Sequence, residues 1–255
     1  MANASRRSER AADHRVLFEA SPKRVRAMFD GKTVADTLRA GLVLETGHMP
    51  VYYFPREDVR MDLLERSDHR SHCPYKGDAS YWTLKAGGRS APNGAWSYEE
   101  PFAEMASIKG RIAFYWDKVD HWFEEDEEIF GHARDPHHRI DVRPSARRVR
   151  VIIAGETVAS TGRALFLFET GLPTRYYIPR EDVRMELMTP SSTKSVCPYK
   201  GQASYWSVRI GDRTVKDAAW AYLDPLPECP RIKGHLCFYP EKVEQMEVEG
   251  DTAMR

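Results

Sequence analysis

Short apolar runs and stretches of strict alternation, punctuated by Gly, Pro and Asp, predict many short strands and almost no helix along this chain. Arg24–Phe29 and Lys32–Thr37 flank Asp30-Gly31, a pair that supplies the positive φ angles of a two-residue hairpin turn. Leu42-Val-Leu44 ends at Glu-Thr-Gly and reads as a buried strand followed by a turn. Tyr52-Tyr-Phe-Pro55 reads as an aromatic strand whose proline sets its end at an edge or loop. Val59, Met61 and Leu63 alternate with Arg60 and Asp62, which predicts a half-buried strand, and the polar stretch Glu65–His72 is expected to be a surface loop. Ala79–Lys85 and the residues after Gly87-Gly88 predict a second hairpin; Trp96-Ser-Tyr98 and Ile112–Tyr115 add two more strands.

The pattern then starts again. Cys73-Pro-Tyr-Lys-Gly-Asp-Ala-Ser-Tyr-Trp82 returns as Cys197-Pro-Tyr-Lys-Gly-Gln-Ala-Ser-Tyr-Trp206, a spacing of 124 residues that also carries Tyr52-Tyr53 onto Tyr176-Tyr177 and Trp96 onto Trp220. No gap is needed between His14/His138 and Val119/Val243, so one fold is written twice. The copies also correct each other. Phe102–Ile108 could pass for a helix, but Pro225, Pro227 and Pro230 in the second copy cannot all sit in a helix interior. The expected architecture is all-β, two similar compact domains of sandwich or part-barrel type with eight or so short strands each. The expected layout is a disordered tail over 1–12, a first repeat over 13–121, an acidic connector over 122–136, a second repeat over 137–245 and a C-terminal tail over 246–255. Glu124–Glu128 in the connector reads as a solvated linker, with metal binding by these acids and His137/His138 as the alternative.

Composition narrows the partners. In 255 residues, 38 basic and 38 acidic side chains cancel, so no overall field draws in nucleic acid or an anionic membrane, and small-molecule or protein partners are expected. No apolar run approaches the roughly 18 residues needed to span a bilayer. Basic residues near the N-terminus have no apolar core behind them, which points to a cytoplasmic protein. Cys229 and Cys237 stand where the first copy has Met105 and Ala113, as apolar filler does, while Cys73 and Cys197 are equivalent positions in separate repeats. With no Cys-x-x-Cys, no structural zinc is expected.

Polar and aromatic residues kept in both copies are the candidate site, because surface positions drift in copies that need only fold. For ligand binding these are Tyr52, Arg56, Cys73, Tyr75, Lys76, Trp82 and Trp96, with Tyr176, Arg180, Cys197, Tyr199, Lys200, Trp206 and Trp220 as their counterparts. Aromatic faces would give shape and desolvation, and Lys76 or Arg56 would hold an anionic group; the competing reading is that the aromatics are simply core. Cys73 and Cys197, each three residues before a lysine, are the candidate catalytic thiols, and His14/His138 is the one histidine present in both copies that could serve as base. Arg56-Glu-Asp-Val-Arg60 reads as a salt-bridged strand entry.

The combination of Tyr-Tyr-Phe-Pro-Arg-Glu-Asp-Val-Arg-Met, Cys-Pro-Tyr-Lys-Gly with Ala-x-Tyr-Trp, and Ala-Phe-Tyr near the end of the first unit resembles the family known as domain of unknown function 427, over about 24–120 and again 148–244. The resemblance implies a small, mostly β domain similar to the β-tent type, often found in tandem, and carries a nucleotidyl-transfer label. Two-metal nucleotidyl transfer would call for clustered carboxylates and a phosphate-binding turn. The shared acids are chiefly Glu45, Glu57 and Asp58, and no Gly-rich loop precedes a helix. Three function classes stay open: a module binding a small ligand, an anion among the candidates; an enzyme using Cys73/Cys197 or nucleotidyl-transfer chemistry; and a protein-interaction scaffold.

Overall fold

Asp30 and Gly31 take φ values of 48° and 71°, and Ala154 and Gly155 take 52° and 74°, so both copies turn their first hairpin with two successive residues in the left-handed region. The computed structural model describes residues 13–250. It divides the chain into two units, with the division between Asp135 and Pro136.

In the first unit the strands are β1 (Val16–Ala20), β2 (Val25–Phe29), β3 (Lys32–Thr37), β4 (Gly41–Glu45), β5 (Val51–Phe54), β6 (Leu64–Cys73), β7 (Gly77–Ala86), β8 (Arg89–Ser97), β9 (Ile112–Phe114), β10 (His121–Glu124) and β11 (Glu127–Ile129). Seven form an antiparallel sheet in the order β1-β4-β5-β9-β8-β7-β6, and four form a smaller sheet in the order β11-β10-β2-β3. Period-2 alternation decides what lies between them. Val25, Ala27 and Phe29 point from β2 into one core, where Tyr52, Phe54, Trp82, Leu84, Phe114 and Trp122 meet them. The opposite face of the large sheet carries Tyr53, Ala79, Tyr81 and Ala113, covered by Met105 and Ile108 of a 3-10 segment, Ala103–Ile108. Adjacent residues in one strand thus serve different cores.

The second unit repeats this with β12 (Ile140–Pro144), β13 (Val149–Ile153), β14 (Glu156–Thr161), β15 (Leu165–Glu169), β16 (Arg175–Pro179), β17 (Met188–Cys197), β18 (Gly201–Ile210), β19 (Arg213–Tyr222), β20 (His235–Phe238) and β21 (Gln245–Val248). Its large sheet runs β12-β15-β16-β20-β19-β18-β17 and its small one β14-β13-β21. All-β architecture in tandem is therefore the observed fold class.

Four local expectations are corrected. Val59, Met61 and Leu63 are not a strand: Arg56–Asp58 and Met61–Leu63 are 3-10 turns, and Val59 is buried through a lone bridge to Ala35. Glu65–His72 is not a loop but most of β6, an edge strand whose residues between Leu64 and Cys73 are almost all exposed. Trp96 does not begin a strand of its own but continues β8 from the hairpin. The acidic stretch is not a solvated linker either: β10 pairs with β2, Trp122 is 3% exposed, and Glu124 is buried. At the matching place β21 pairs with β13, so the repeat extends beyond Val119/Val243. Residues 1–12 and 251–255 lie outside the described residues.

Candidate functional site

A buried lysine needs an anion beside it, because an isolated ammonium removed from water is too costly to keep charged. Lys76, in the turn between β6 and β7, donates to Glu45 at the end of β4. His14, just ahead of β1, donates from Nε2 to the other oxygen of Glu45 at 3.1 Å. The Tyr75 ring stacks on the His14 imidazole with centroids 3.8 Å apart. The three charged or polar side chains are only 9–15% exposed. Burial pushes the Glu45 carboxyl up, and the hydrogen bonds from Lys76 and His14 together with the charge of Lys76 more than offset this, leaving it below the usual carboxylate value. The second unit builds the same cluster: Lys200 Nζ donates to Glu169 Oε1 at 2.6 Å, His138 Nε2 to the same oxygen at 2.9 Å, and Tyr199 stacks on His138 at 4.3 Å.

Beside this cluster the aromatic residues of the second core form a wall. Trp96 Nε1 donates to the Tyr53 hydroxyl at 3.1 Å, and the Trp96 ring lies against Tyr115 with centroids 4.5 Å apart. Tyr81 shares a hydrogen bond of 2.6 Å with Ser71. Burial pushes the phenols of Tyr53 and Tyr98 well above their ordinary value, so they act as neutral hydroxyls. A cleft of about 680 Å³ opens along the wall and is lined by His14, Glu45, Val51, Tyr52, Tyr53, Cys73, Tyr75, Lys76, Tyr81, Trp96 and Tyr115, with His48, His72 and His132 also contributing.

Of the residues expected to form the site, the structure brings Tyr52, Cys73, Tyr75, Lys76 and Trp96 to this one cleft. Trp82 and Arg56 lie elsewhere. Trp82 faces the core between the sheets, and the guanidiniums of Arg56 and Arg66 sit 5.4 and 5.3 Å from its ring centre. In the second unit Trp206 and Arg180 repeat this placement at 5.8 Å. Tyr176, like Tyr52, packs toward the between-sheet core, whereas Cys197 and Trp220 pack with Tyr177 on the other face. Tyr52 turns its hydroxyl to Glu124 at 2.7 Å, and Glu124 also takes a hydrogen bond from Lys23. Sequence reasoning weighed Glu45 and His14 only as a shared acid and a possible base. Their signal was there: His14, Glu45 and Lys76 recur in both copies, each 31 residues from the next.

The thiols divide by burial. Cys229 and Cys237 are buried, and burial pushes them up to about 11 and about 12. Cys73 and Cys197 are half-buried, and among the described residues neither hydrogen-bonds to a histidine. Gly77 takes φ +104°, open to glycine above all, and its nearest neighbours are the backbone of Glu100–Phe102 rather than the cleft. Among the described residues no three of His, Cys, Asp and Glu converge to hold a metal ion, and no helix is long and apolar enough to cross a membrane.

None of the curated proteins matches the chain. A family profile does, twice: the domain of unknown function DUF427, labelled NTP_transf_9, matches residues 17–125 and 141–249, which is most of the chain and keeps the spacing of 124. The chain belongs to the DUF427 family and carries its domain in tandem.

Proposed function

We propose that the first unit is a small-molecule binding module whose site is the aromatic-walled cleft ending at the His14–Glu45–Lys76 cluster. The observation that carries this is the cleft itself. At about 680 Å³ it falls in the range of ligand sites, and it pairs aromatic faces with a few convergent polar groups. The anionic ligand expected from Lys76 loses its main support, because Glu45 already balances that ammonium. The cluster is better suited to orient a ligand through the His14 imidazole and the tyrosine hydroxyls than to attract charge.

The test is ligand-observed NMR with a set of small carboxylates, phosphates, nucleosides and organic cations. At least one class should bind, and binding should be lost in Trp96→Ala and reduced in Met49→Trp, which narrows the cleft from an exposed position on its lining. No binding by any class, or binding indifferent to both substitutions, would overturn the proposal.

A further inference from the structure

The second unit already holds a cation on the surface that the first unit leaves open. Arg175, at the start of β16, places its guanidinium 5.5 Å from the ring centre of Trp220 and 5.9 Å from that of Tyr239. Lys242 adds its ammonium 4.8 Å from the Tyr239 ring centre. Trp220 and Tyr239 are the counterparts of Trp96 and Tyr115, and they pack against each other in the same tilted way at 4.2 Å. The position equivalent to Arg175 is Val51, which lines the first unit's cleft and carries no charge. Among the described residues no side-chain cation lies over the Trp96 or Tyr115 ring. Exposure follows: Trp220 is 7% exposed and Tyr239 half-buried, whereas Trp96 is half-buried and Tyr115 39% exposed.

We infer that the first unit's cleft takes the guanidinium group of a small molecule over the packed Trp96–Tyr115 pair, and that Arg175 fills the equivalent place in the second unit from within the chain. The inference rests on the ligand-binding reading of this cleft and adds the ligand's chemistry. A flat, weakly hydrated cation over electron-rich rings is what an indole and a phenol favour, and the favourable term grows as the pair is removed from water. The Glu45–Lys76 pair is neutral as a whole, so it sets no opposing charge against the cation. One fold therefore shows two states of the same surface, one filled by its own side chain and one empty.

The experiment is isothermal titration calorimetry of the full chain with L-arginine and with L-citrulline, its uncharged ureido counterpart of nearly the same shape. Arginine should bind at one site per chain, and citrulline should bind at least about tenfold more weakly, the loss expected when a partly desolvated cation–π contact is removed. Val51→Arg should bring the stoichiometry to zero and Arg175→Val should raise it to two. Each substitution installs the residue that the sister unit carries there, so the fold accommodates both. Equal affinity for citrulline, a stoichiometry unmoved by either substitution, or no arginine binding would overturn the guanidinium inference. If other compounds still bind the cleft in the NMR test, the ligand-binding reading survives that failure.

Discussion

The two units agree at their buried polar cluster and differ where their clefts would hold something. His14, Glu45, Lys76 and Tyr75 have identical counterparts making the same contacts, whereas on the cleft lining Val51 becomes Arg175 and His48 becomes Leu172. A buried ion pair tolerates no partial change, because losing one member strands the other away from water. The cleft lining has no such constraint and can diverge in steps. The comparison separates what the fold requires from what each unit does with it.

The largest effect should come from breaking the shared cluster. Glu45→Ala and Glu169→Ala each leave a buried ammonium unpaired and should each destabilise their own unit by about 3–5 kcal/mol, measured by denaturant unfolding of the full chain. Glu45→Leu combined with Lys76→Met should recover most of that loss. A large effect in only one unit would break the equivalence. Next in size is Glu124→Ala, which takes away the carboxylate that the buried Tyr52 hydroxyl donates to and should cost the first unit about 1–3 kcal/mol. Val248→Ala in the second unit strands no polar group, and a cost there of the same kind would remove the contrast.

The smallest effect is on pH. The Glu45 carboxyl is held below its ordinary value, so its stabilising contribution is complete above about 4.5 and declines as pH falls from there through the lowered value. Acid unfolding of the chain should therefore show a component below pH 4.5 that is absent in the Glu45→Leu, Lys76→Met double variant. An acid limb unchanged in that variant would show that other carboxylates dominate.

Much of the fold was legible because turn chemistry and duplication agree: Asp30-Gly31 and Ala154-Gly155 specify the same hairpin from different residues. The misreadings have specific causes. Alternation at Val59, Met61 and Leu63 mimics a strand because two successive 3-10 turns also return apolar side chains to the core. An edge strand such as β6, solvated on both faces, shows no alternation at all and so looked like a loop. In the acidic stretch the charge of five neighbouring acids obscured Trp122 and the single acid, Glu124, that turns inward. At the site, a strand's period of two already places Tyr81 and Trp82 on opposite faces, so the cleft wall that includes Tyr81 leaves Trp82 in the other core. The divergence of Arg175 from Val51 was visible as letters, but its meaning depends on the ring surface beneath it, which only packing reveals.

The edge strands β6 and β17 have a consequence for how such a chain survives its own synthesis. Two tandem domains of similar sequence present each nascent sheet with a sibling strand that could dock in the wrong place, the characteristic failure of repeated folds. β6 exposes Arg66, Asp68, His69 and Arg70 along its open edge, β17 carries Pro190 and Lys194, and both lose register with their partner strand midway, between Arg66 and Arg70 and between Pro190 and Lys194. Charge, proline and a bulge each spoil the straight row of backbone donors and acceptors that an incoming strand would need. The polar stretch that hid β6 from sequence reading is thus also what keeps one copy of the fold from being mistaken for a partner by the other.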